Sequence, residues 1–189
     1  MVETIKLSGV KKTSNNNLQR LSIEEFHKAE KYPVIIVLDN VRSLNNVGSV
    51  FRTADAFRCE AVYLCGITGT PPHREIQKTA LGATDSVRWK YFKNTTDAIK
   101  ELQELQYIVY AVEQVENSIM LNIMQIEPQQ RYALVFGNEM NGISQEALDL
   151  CQQCIEIPQS GTKHSLNIAV SVGIVIWDFY CFFNKQNQY

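Results

Sequence analysis

The chain has 189 residues, of which 45% are hydrophobic and 20% are charged, and its formal net charge is −2 at pH 7. A chain of this size and composition is predicted to form one globular domain whose core needs no stabilising disulfide. The slight negative charge argues against general electrostatic attachment to nucleic acid or to a membrane, because such attachment requires an excess of lysine and arginine. Any contact with nucleic acid must therefore use local basic patches.

The predicted organisation is an N-terminal extension over residues 1–32 and one domain over residues 33–189. The polar run 11–17 has the composition of a mobile basic arm. Ser22 and Glu25 have the spacing of a capping box, which predicts a short helix over residues 26–31.

From residue 34 onward, strands and helices are predicted to alternate along the chain. Apolar runs predict strands at 34–38, 61–65, 87–92, 107–112, 132–136 and 155–157. Many of these runs show no alternation of apolar and polar residues, which indicates strands buried on both faces. Helical patterns lie between them at 46–57, 74–81, 96–105, 144–151 and 165–183. This order predicts an α/β fold with a mostly parallel sheet flanked by helices.

Ligands of open parallel sheets bind beyond the carboxyl ends of the strands. We therefore expect the functional site in the loops that follow the predicted strands, at 39–46, 113–118, 137–143 and 158–165. The first, third and fourth of these loops are rich in asparagine, glycine and serine.

The last predicted helix is almost wholly apolar from residue 168 to residue 183. We predict no membrane contact, because about 20 apolar residues are needed to cross a bilayer and Ser171 and Asp178 interrupt this run. A helix that is apolar all round is more consistent with burial between the sheet and a second subunit, which favours a dimer.

The five cysteines are odd in number, and no apolar segment near the N-terminus follows a basic start as in a secretory signal. We therefore expect a cytoplasmic location. Cys151 and Cys154 have the spacing of half a zinc site, but no second pair of cysteines or histidines completes four ligands. We interpret both as small buried residues and expect no metal.

The first segment of interest is 45–57, which follows the first predicted strand. On a helix, Val47 and Phe51 belong to the inward face and Arg52 to the opposite face. Two interpretations stay open for Arg52: an ion pair with Asp55 one turn further along, or a phosphate contact near the start of the helix, beside asparagine side chains.

The second segment is 134–143, a predicted strand that enters a loop with two glycines. Glycine lets the backbone approach a ligand closely, and Glu139 is the only charge in the segment. A plain turn followed by a helix explains both glycines equally well, so the pattern alone is weak evidence of a cofactor.

The third segment is 157–170, in which a strand leads through a polar loop into the apolar helix. Ser165 stands where the N-cap of that helix is expected. Asn167 would then lie inside the helix, and a buried amide must bond either to nearby backbone or to a polar site. His164 is interpreted as a solvated loop residue rather than a catalytic base.

In this order and spacing, the three segments resemble the signature motifs of the SpoU/TrmH family of RNA 2'-O-ribose methyltransferases, in the SPOUT superfamily. The motifs are N-x-G-x-x-x-R-x-A-x-x-F from Asn46, G-N-E-x-x-G-I from Gly137, and I-P-x-x-G-x-x-x-S-L-N from Ile157. The resemblance covers roughly residues 34–183. It implies a C-terminal deep trefoil knot, a homodimer, RNA as substrate and S-adenosyl-L-methionine as the methyl donor.

The resemblance also implies which residues form the site. Cofactor contacts are implied at Gly137, Ile157 and Leu166, with no metal. Catalytic and substrate-binding roles are implied for Asn46, Arg52, Glu139, Ser165 and Asn167. Family mechanisms let the arginine at the position of Arg52 accept the hydroxyl proton, but arginine is normally always protonated, so phosphate binding stays open as its role.

One departure from the family pattern is Arg58, which stands where a glycine usually follows the first motif. With about 32 residues before the core, the chain resembles compact relatives, which favours tRNA over rRNA as substrate. Two interpretations stay open for several basic residues, RNA contact or an ordinary solvated surface: Lys11, Lys12, Arg20, Arg74 and Lys78, and also Lys90 and Lys93 beside Tyr91 and Phe92. The alternatives are a noncatalytic RNA-binding protein with the knotted fold and a base-directed SPOUT methyltransferase.

Overall fold

The computed structural model describes residues 20–186, so the predicted basic arm with Lys11 and Lys12 lies outside the described residues. Its strands are β1 (Tyr32–Asp39), β2 (Cys59–Cys65), β3 (Trp89–Phe92), β4 (Tyr107–Val112), β5 (Ile119–Met120), β6 (Arg131–Phe136) and β7 (Gln153–Glu156). They form one sheet in the order β3-β2-β1-β6-β4-β7-β5, and every adjacent pair is parallel. The predicted parallel α/β sheet is confirmed.

Helices flank this sheet on both faces. They are α1 (Ile23–Lys28), α2 (Leu44–Ala56), α3 (Arg74–Ala80), α4 (Ala83–Ser86), α5 (Thr95–Glu104), α6 (Gln145–Leu148) and α7 (Ile168–Gln186). Sequence patterns missed β5, α4 and a 3-10 helix at Leu121–Ile123. These elements have two, four and three residues, too few for a hydrophobic period to show.

The central strands are buried on both faces, as their continuous apolar runs predict. In β1, Val34, Ile36 and Leu38 pack into one hydrophobic cluster, which α2 and α7 cover. Ile35 and Val37 point the other way into a second cluster, which α5 and α6 cover. Cys151 and Cys154 are half-buried against this second cluster. The two layers leave the carboxyl edge of the sheet to the loops.

Helix α1 begins three residues before the predicted start, because Ser22 itself is the N-cap. Its hydroxyl accepts from the Glu25 N–H at 3.2 Å, and the Glu25 carboxylate accepts from the Ser22 N–H at 2.7 Å. The capping box is therefore confirmed, and the helix follows it directly.

The start of α7 corrects two expectations about the third segment. Asn167, rather than Ser165, caps the helix: its side-chain oxygen accepts from the Ala169 N–H at 2.9 Å, and its backbone carbonyl accepts from the Ser171 N–H at 2.9 Å. Asn167 is also exposed rather than buried. The side-chain oxygen of Asn167 is therefore engaged in capping, and its side-chain nitrogen is free to donate to a neighbouring element.

Helix α7 packs one face into the first hydrophobic cluster through Val172, Val175 and Phe179. By length and composition alone, Ile168–Lys185 would be sufficient to cross a membrane, so the expectation that it is too short was wrong. Its packing against the sheet is that of a core helix. The opposite face exposes Val170, Ile174 and Trp177, so the helix is not buried all round in one chain.

Candidate functional site

A cavity of about 740 Å³ lies beyond the carboxyl ends of β4, β6 and β7. Three of the four predicted loops, 113–118, 137–143 and 158–165, contribute residues to its lining. Its volume falls within the range of about 300–1,000 Å³ that is usual for small-ligand sites. The expectation that the site lies at this edge of the sheet agrees with the cavity.

The loop 137–143 forms one wall of the cavity as a tight backbone turn. The Asn138 N–H donates to the Gly142 carbonyl and the Gly142 N–H donates to the Asn138 carbonyl, both at 2.9 Å. A Cβ on Gly137 would lie 2.2 Å from the carbonyl carbon of Gly142. Glycine is therefore required at position 137, because any side chain there would collide with the backbone at the end of the same loop.

Two carboxylates that the sequence motifs did not single out hold the end of this loop. Glu113, the first residue after β4, accepts from the Ile143 N–H at 3.1 Å. Asp39, the last residue of β1, is 1% exposed and accepts from the Ser144 N–H at 2.9 Å and from the Ser144 hydroxyl at 3.1 Å. Both carboxylates stand at the carboxyl end of a strand with a strongly apolar sequence. This position could have marked them as candidate site residues in the sequence.

Asp39 also joins the loop to its neighbours. Its other oxygen accepts from the Thr95 hydroxyl and from the Asn40 amide, the latter at 2.7 Å. The Asn40 carbonyl in turn accepts from the Asn138 amide at 2.7 Å. These contacts satisfy the buried carboxylate and fix the cavity loop relative to β1 and α5.

Glu139 connects the cavity loop to the start of α2 and to the two residues before it. Its carboxylate accepts from the Arg42 N–H at 3.2 Å, from the Ser43 N–H at 3.1 Å and from the Asn46 side-chain amide at 3.2 Å. Burial alone would raise the pKa of the Glu139 carboxyl, but these bonds, with its own N–H, outweigh it and lower the pKa below its usual value. Glu139 therefore stays ionised.

The asparagines of the first and third segments meet directly. The Asn167 amide nitrogen donates to the Asn46 side-chain oxygen at 3.2 Å. Glu139, Asn46 and Asn167 thus form one chain of hydrogen bonds across all three predicted segments. This arrangement orients both asparagine side chains. The Asn46 nitrogen donates to the Glu139 carboxylate, and the Asn167 oxygen accepts from the Ala169 N–H.

The other predicted residues divide between the cavity and the surface. Gly137, Ile157, Ser165 and Leu166 line the cavity, as do His164 and the hydrogen-bonded Glu139 and Asn167. Arg52 is exposed on α2 and is not part of the lining.

The ion pair between Arg52 and Asp55 is not formed within 4.0 Å among the residues that the structure describes. Asp55 instead accepts a hydrogen bond from the Ser86 hydroxyl. The guanidinium of Arg52 is thus left facing solvent, as the helical periodicity predicted.

Fold and cavity together define a parallel α/β protein with a nucleotide-sized ligand cavity at the carboxyl edge of its sheet. The model of the SpoU rRNA Methylase family matches residues 33–177. This chain belongs to that family, and the resemblance inferred from the three motifs is confirmed.

Individual relatives agree with the family. The chain is 29% identical over 148 residues to the 23S rRNA (guanosine-2'-O-)-methyltransferase RlmB of Blochmanniella floridana, covering 77% of this chain and 56% of the relative. It is 27% identical over 160 residues to the tRNA (guanosine(18)-2'-O)-methyltransferase of Thermus thermophilus, covering 85% of this chain and 80% of the relative. The chain therefore spans little more than half the length of the RlmB relative.

Solved structures confirm the fold. The AdoMet-bound rRNA methyltransferase from Sinorhizobium meliloti superposes with a TM-score of 0.75 at 25% identity, covering 83% of this chain and 60% of that one. The TrmH/SpoU tRNA modifying enzyme of A. aeolicus superposes with a TM-score of 0.77 at 21% identity, covering 87% and 84%. The fold is that of the SpoU/TrmH methyltransferases.

Proposed function

We propose that this chain transfers a methyl group from S-adenosyl-L-methionine to a ribose 2'-hydroxyl of RNA. The observation that carries the proposal is the hydrogen-bonded chain of Glu139, Asn46 and Asn167 beside the cavity. Family membership and the names of the relatives, which are RNA 2'-O-methyltransferases, support it.

The residues of the cavity fit S-adenosyl-L-methionine. Its adenine needs an apolar slot with main-chain hydrogen-bonding groups nearby, and Ile157, Leu166 and the backbone at Gly137 border one cavity. The carboxylates of Glu113 and Glu156 also line it and favour a ligand that carries the positive sulfonium charge. When bound, the cofactor supplies an electrophilic methyl group.

The protein contributes mainly by positioning the RNA. In-line transfer requires the ribose hydroxyl to be held against the methyl carbon, and correct orientation alone accelerates such a step strongly. Asn46 and Asn167 offer amide groups of fixed orientation for the ribose and its phosphate, and Glu139 holds Asn46 in place. Ser165 adds a hydroxyl at the same wall of the cavity.

Arg52 is assigned to an RNA phosphate. It lies on α2, six residues and therefore about 9 Å further along the helix axis than Asn46, and its guanidinium is exposed. A guanidinium keeps its proton at neutral pH and binds phosphate through two parallel hydrogen bonds. The alternative role, acceptance of the hydroxyl proton, would require Arg52 to lose its charge.

tRNA is favoured over rRNA as the substrate. The alignment with the tRNA enzyme of Thermus thermophilus covers 80% of that relative, whereas the alignment with the rRNA enzyme RlmB covers 56%. The matched region therefore makes up a larger share of the tRNA enzyme than of RlmB. Initial rates of methylation on tRNA and rRNA, measured side by side, distinguish the two substrates.

The active form is a homodimer that uses the outer face of α7. Val170, Ile174 and Trp177 recur at helical spacing on this face, and Trp177 is 53% exposed. An exposed apolar stripe of this kind marks an interface between subunits. A C-terminal trefoil knot, a cytoplasmic location and the absence of a metal requirement are part of the same proposal.

Two alternatives predict different measurements. A noncatalytic RNA-binding protein would bind RNA without binding S-adenosyl-L-methionine, which calorimetry measures directly. A base-directed methyltransferase would place the methyl group on a base, which mass spectrometry of digested RNA detects. The three joined motifs favour the ribose-directed reaction over both.

Arg52→Ala tests the assignment of the site. We expect methylation of RNA to fall at least about tenfold, because a charge-assisted contact contributes about 1.5–3 kcal/mol, while S-adenosyl-L-methionine binds with unchanged affinity. Lys100→Ala is the matched control, since Lys100 is an exposed cation on α5, at the opposite face of the sheet. Near wild-type methylation by Arg52→Ala would show that the site assignment is wrong.

A further inference from the structure

Strand β3 presents two exposed aromatic rings at the open edge of the sheet. It pairs with β2 alone, and its alternation directs Trp89 and Tyr91 to the face of Val62 and Leu64. Trp89 is 38% exposed and Tyr91 is 47% exposed. Exposed aromatic surface beside an open sheet edge is a feature of interaction sites.

The two residues on the opposite face of β3 are already engaged. The Lys90 ammonium pairs with the Glu101 carboxylate of α5 and lies 4.7 Å from the centre of the Phe92 ring. The two faces of this strand therefore differ in their surroundings. One face packs against α5, and the other leaves the rings of Trp89 and Tyr91 exposed.

Arg88 and Lys93 flank β3 in the sequence, directly before Trp89 and directly after Phe92. Arg88 and Lys93 are exposed, and within residues 20–186 neither has a carboxylate within 4.0 Å. Burial chiefly, and then the charges of Arg88 and Arg58, lower the pKa of Lys31, so Arg88 lies within electrostatic reach of Lys31. Cations held together without acidic partners attract an anionic ligand.

A series of hydrogen bonds connects Tyr91 to the cavity loop of the candidate site. The Tyr91 hydroxyl donates to the Gly66 carbonyl at 3.0 Å, and the next N–H, that of Ile67, donates to the Asn40 side chain at 3.1 Å. The Asn40 carbonyl accepts from the amide of Asn138 in the cavity loop. RNA held beside Asn46 and Asn167 that ran along the carboxyl edge of the sheet toward β3 would reach Tyr91 before Trp89.

We infer that the face of β3 formed by Trp89 and Tyr91, between Arg88 and Lys93, binds a single-stranded segment of the substrate RNA. The inference rests on the proposed function, because RNA is the proposed substrate. Residues two apart on a strand are separated by roughly 7 Å, so each ring can accept a different base. Stacking on aromatic rings and contact of phosphates with cations together are how single strands are bound without sequence preference.

A protein partner fits this face less well. An apolar protein surface would bury Arg88 and Lys93 without a carboxylate partner, and burying an unpaired charge is costly. RNA supplies both an aromatic surface for the rings and a phosphate for each cation.

Binding of a labelled oligouridine of about 12 nucleotides, a length within the usual span of single-strand sites, tests the inference directly. We expect Trp89→Ala and Tyr91→Ala each to weaken binding at least about fivefold, the lower limit for loss of one stacked base. Tyr91→Phe keeps the ring but loses the hydroxyl that bonds to Gly66, so it should bind like the wild type. Leu105→Ala, an exposed apolar residue after α5, is the control, and unchanged melting temperatures verify folding.

Salt dependence tests the cations separately. Each phosphate contact with a single strand contributes about 0.7 to the slope of log affinity against log salt. Arg88→Ala and Lys93→Ala should each lower the slope by about that amount, whereas Lys100→Ala should leave it unchanged.

The outcomes separate this inference from the proposed function. Wild-type affinity in both Trp89→Ala and Tyr91→Ala, or no binding of oligouridine by the wild-type chain, overturns the inference even if methylation is observed. Loss of binding in Tyr91→Phe as well as in Tyr91→Ala would also contradict the inference that a base stacks on Tyr91, because Tyr91→Phe retains the ring. If the ring variants lose RNA binding while the wild-type chain binds no S-adenosyl-L-methionine, the proposed function fails and the RNA-binding face stands.

Discussion

Asp39→Asn is expected to destabilise both the fold and the cavity loop at 137–143, because Asp39 accepts four hydrogen bonds at two oxygens. An asparagine can keep its oxygen toward the Ser144 N–H, which places its amino group beside Thr95 and Asn40. The Thr95 hydroxyl can rotate to accept. Asn40 cannot reverse its amide, since its oxygen already accepts from the Ile67 N–H, so two amino groups face each other.

One buried donor left without an acceptor costs about 1–3 kcal/mol. We therefore expect the free energy of unfolding of Asp39→Asn, measured by urea denaturation, to fall by about this amount. In a chain of this size each kcal/mol corresponds to about 2–4 °C in melting temperature. The affinity for S-adenosyl-L-methionine should fall as well, because the Ser144 bond holds the end of the 137–143 loop.

The control for this change is Asp149→Asn. Asp149 is exposed, and its side chain accepts from the Gln145 amide at 2.7 Å, so the substitution should change the free energy of unfolding by less than about 0.5 kcal/mol. If Asp39→Asn were as stable as Asp149→Asn and bound the cofactor with wild-type affinity, Asp39 would not be the anchor of the loop.

Three further predictions concern Glu139 and α7. Glu139→Ala should slow methylation more than it weakens cofactor binding, because it frees the Asn46 amide; equal effects on both would contradict this. The pKa of Glu139 in the folded chain lies below its usual value of 4.5. The stabilising contribution of this carboxylate is therefore present above pH 4.5 and is lost as the pH falls through the folded pKa. We expect the difference in free energy of unfolding between the wild type and Glu139→Gln to shrink in acid. Trp177→Glu should yield monomers in analytical ultracentrifugation, whereas Leu105→Glu should leave the dimer intact.

Much of the fold could be predicted because hydrophobic patterns are local. The continuous apolar run of β1 indicated burial on both faces, and the helical spacing from Val47 to Phe57 placed Arg52 outward before its position was known. Short elements such as α4 escaped because four residues contain about one helical turn.

The site could be predicted less completely because its contacts join distant parts of the chain. Ser165 was expected to cap α7 since serine and asparagine are both favoured caps, and only the contacts of Asn167 decide between them. Glu139 was noticed as a lone charge, but its bonds to Arg42, Ser43 and Asn46 span more than 90 positions. Glu113 and Asp39 stand at the ends of buried strands, but their bonds to Ile143 and Ser144 join residues 30 and 105 positions apart, which local spacing could not reveal.

Methyl transfer to ribose is the most direct measurement of the proposed activity. The full chain is incubated with methyl-labelled S-adenosyl-L-methionine and with tRNA or rRNA from cells that lack it, and the RNA is then digested to nucleosides for mass spectrometry. We expect the label in a 2'-O-methylated nucleoside, more from tRNA than from rRNA, and its loss in Arg52→Ala. Label on a base, or no label together with no binding of S-adenosyl-L-methionine, would contradict the proposed function.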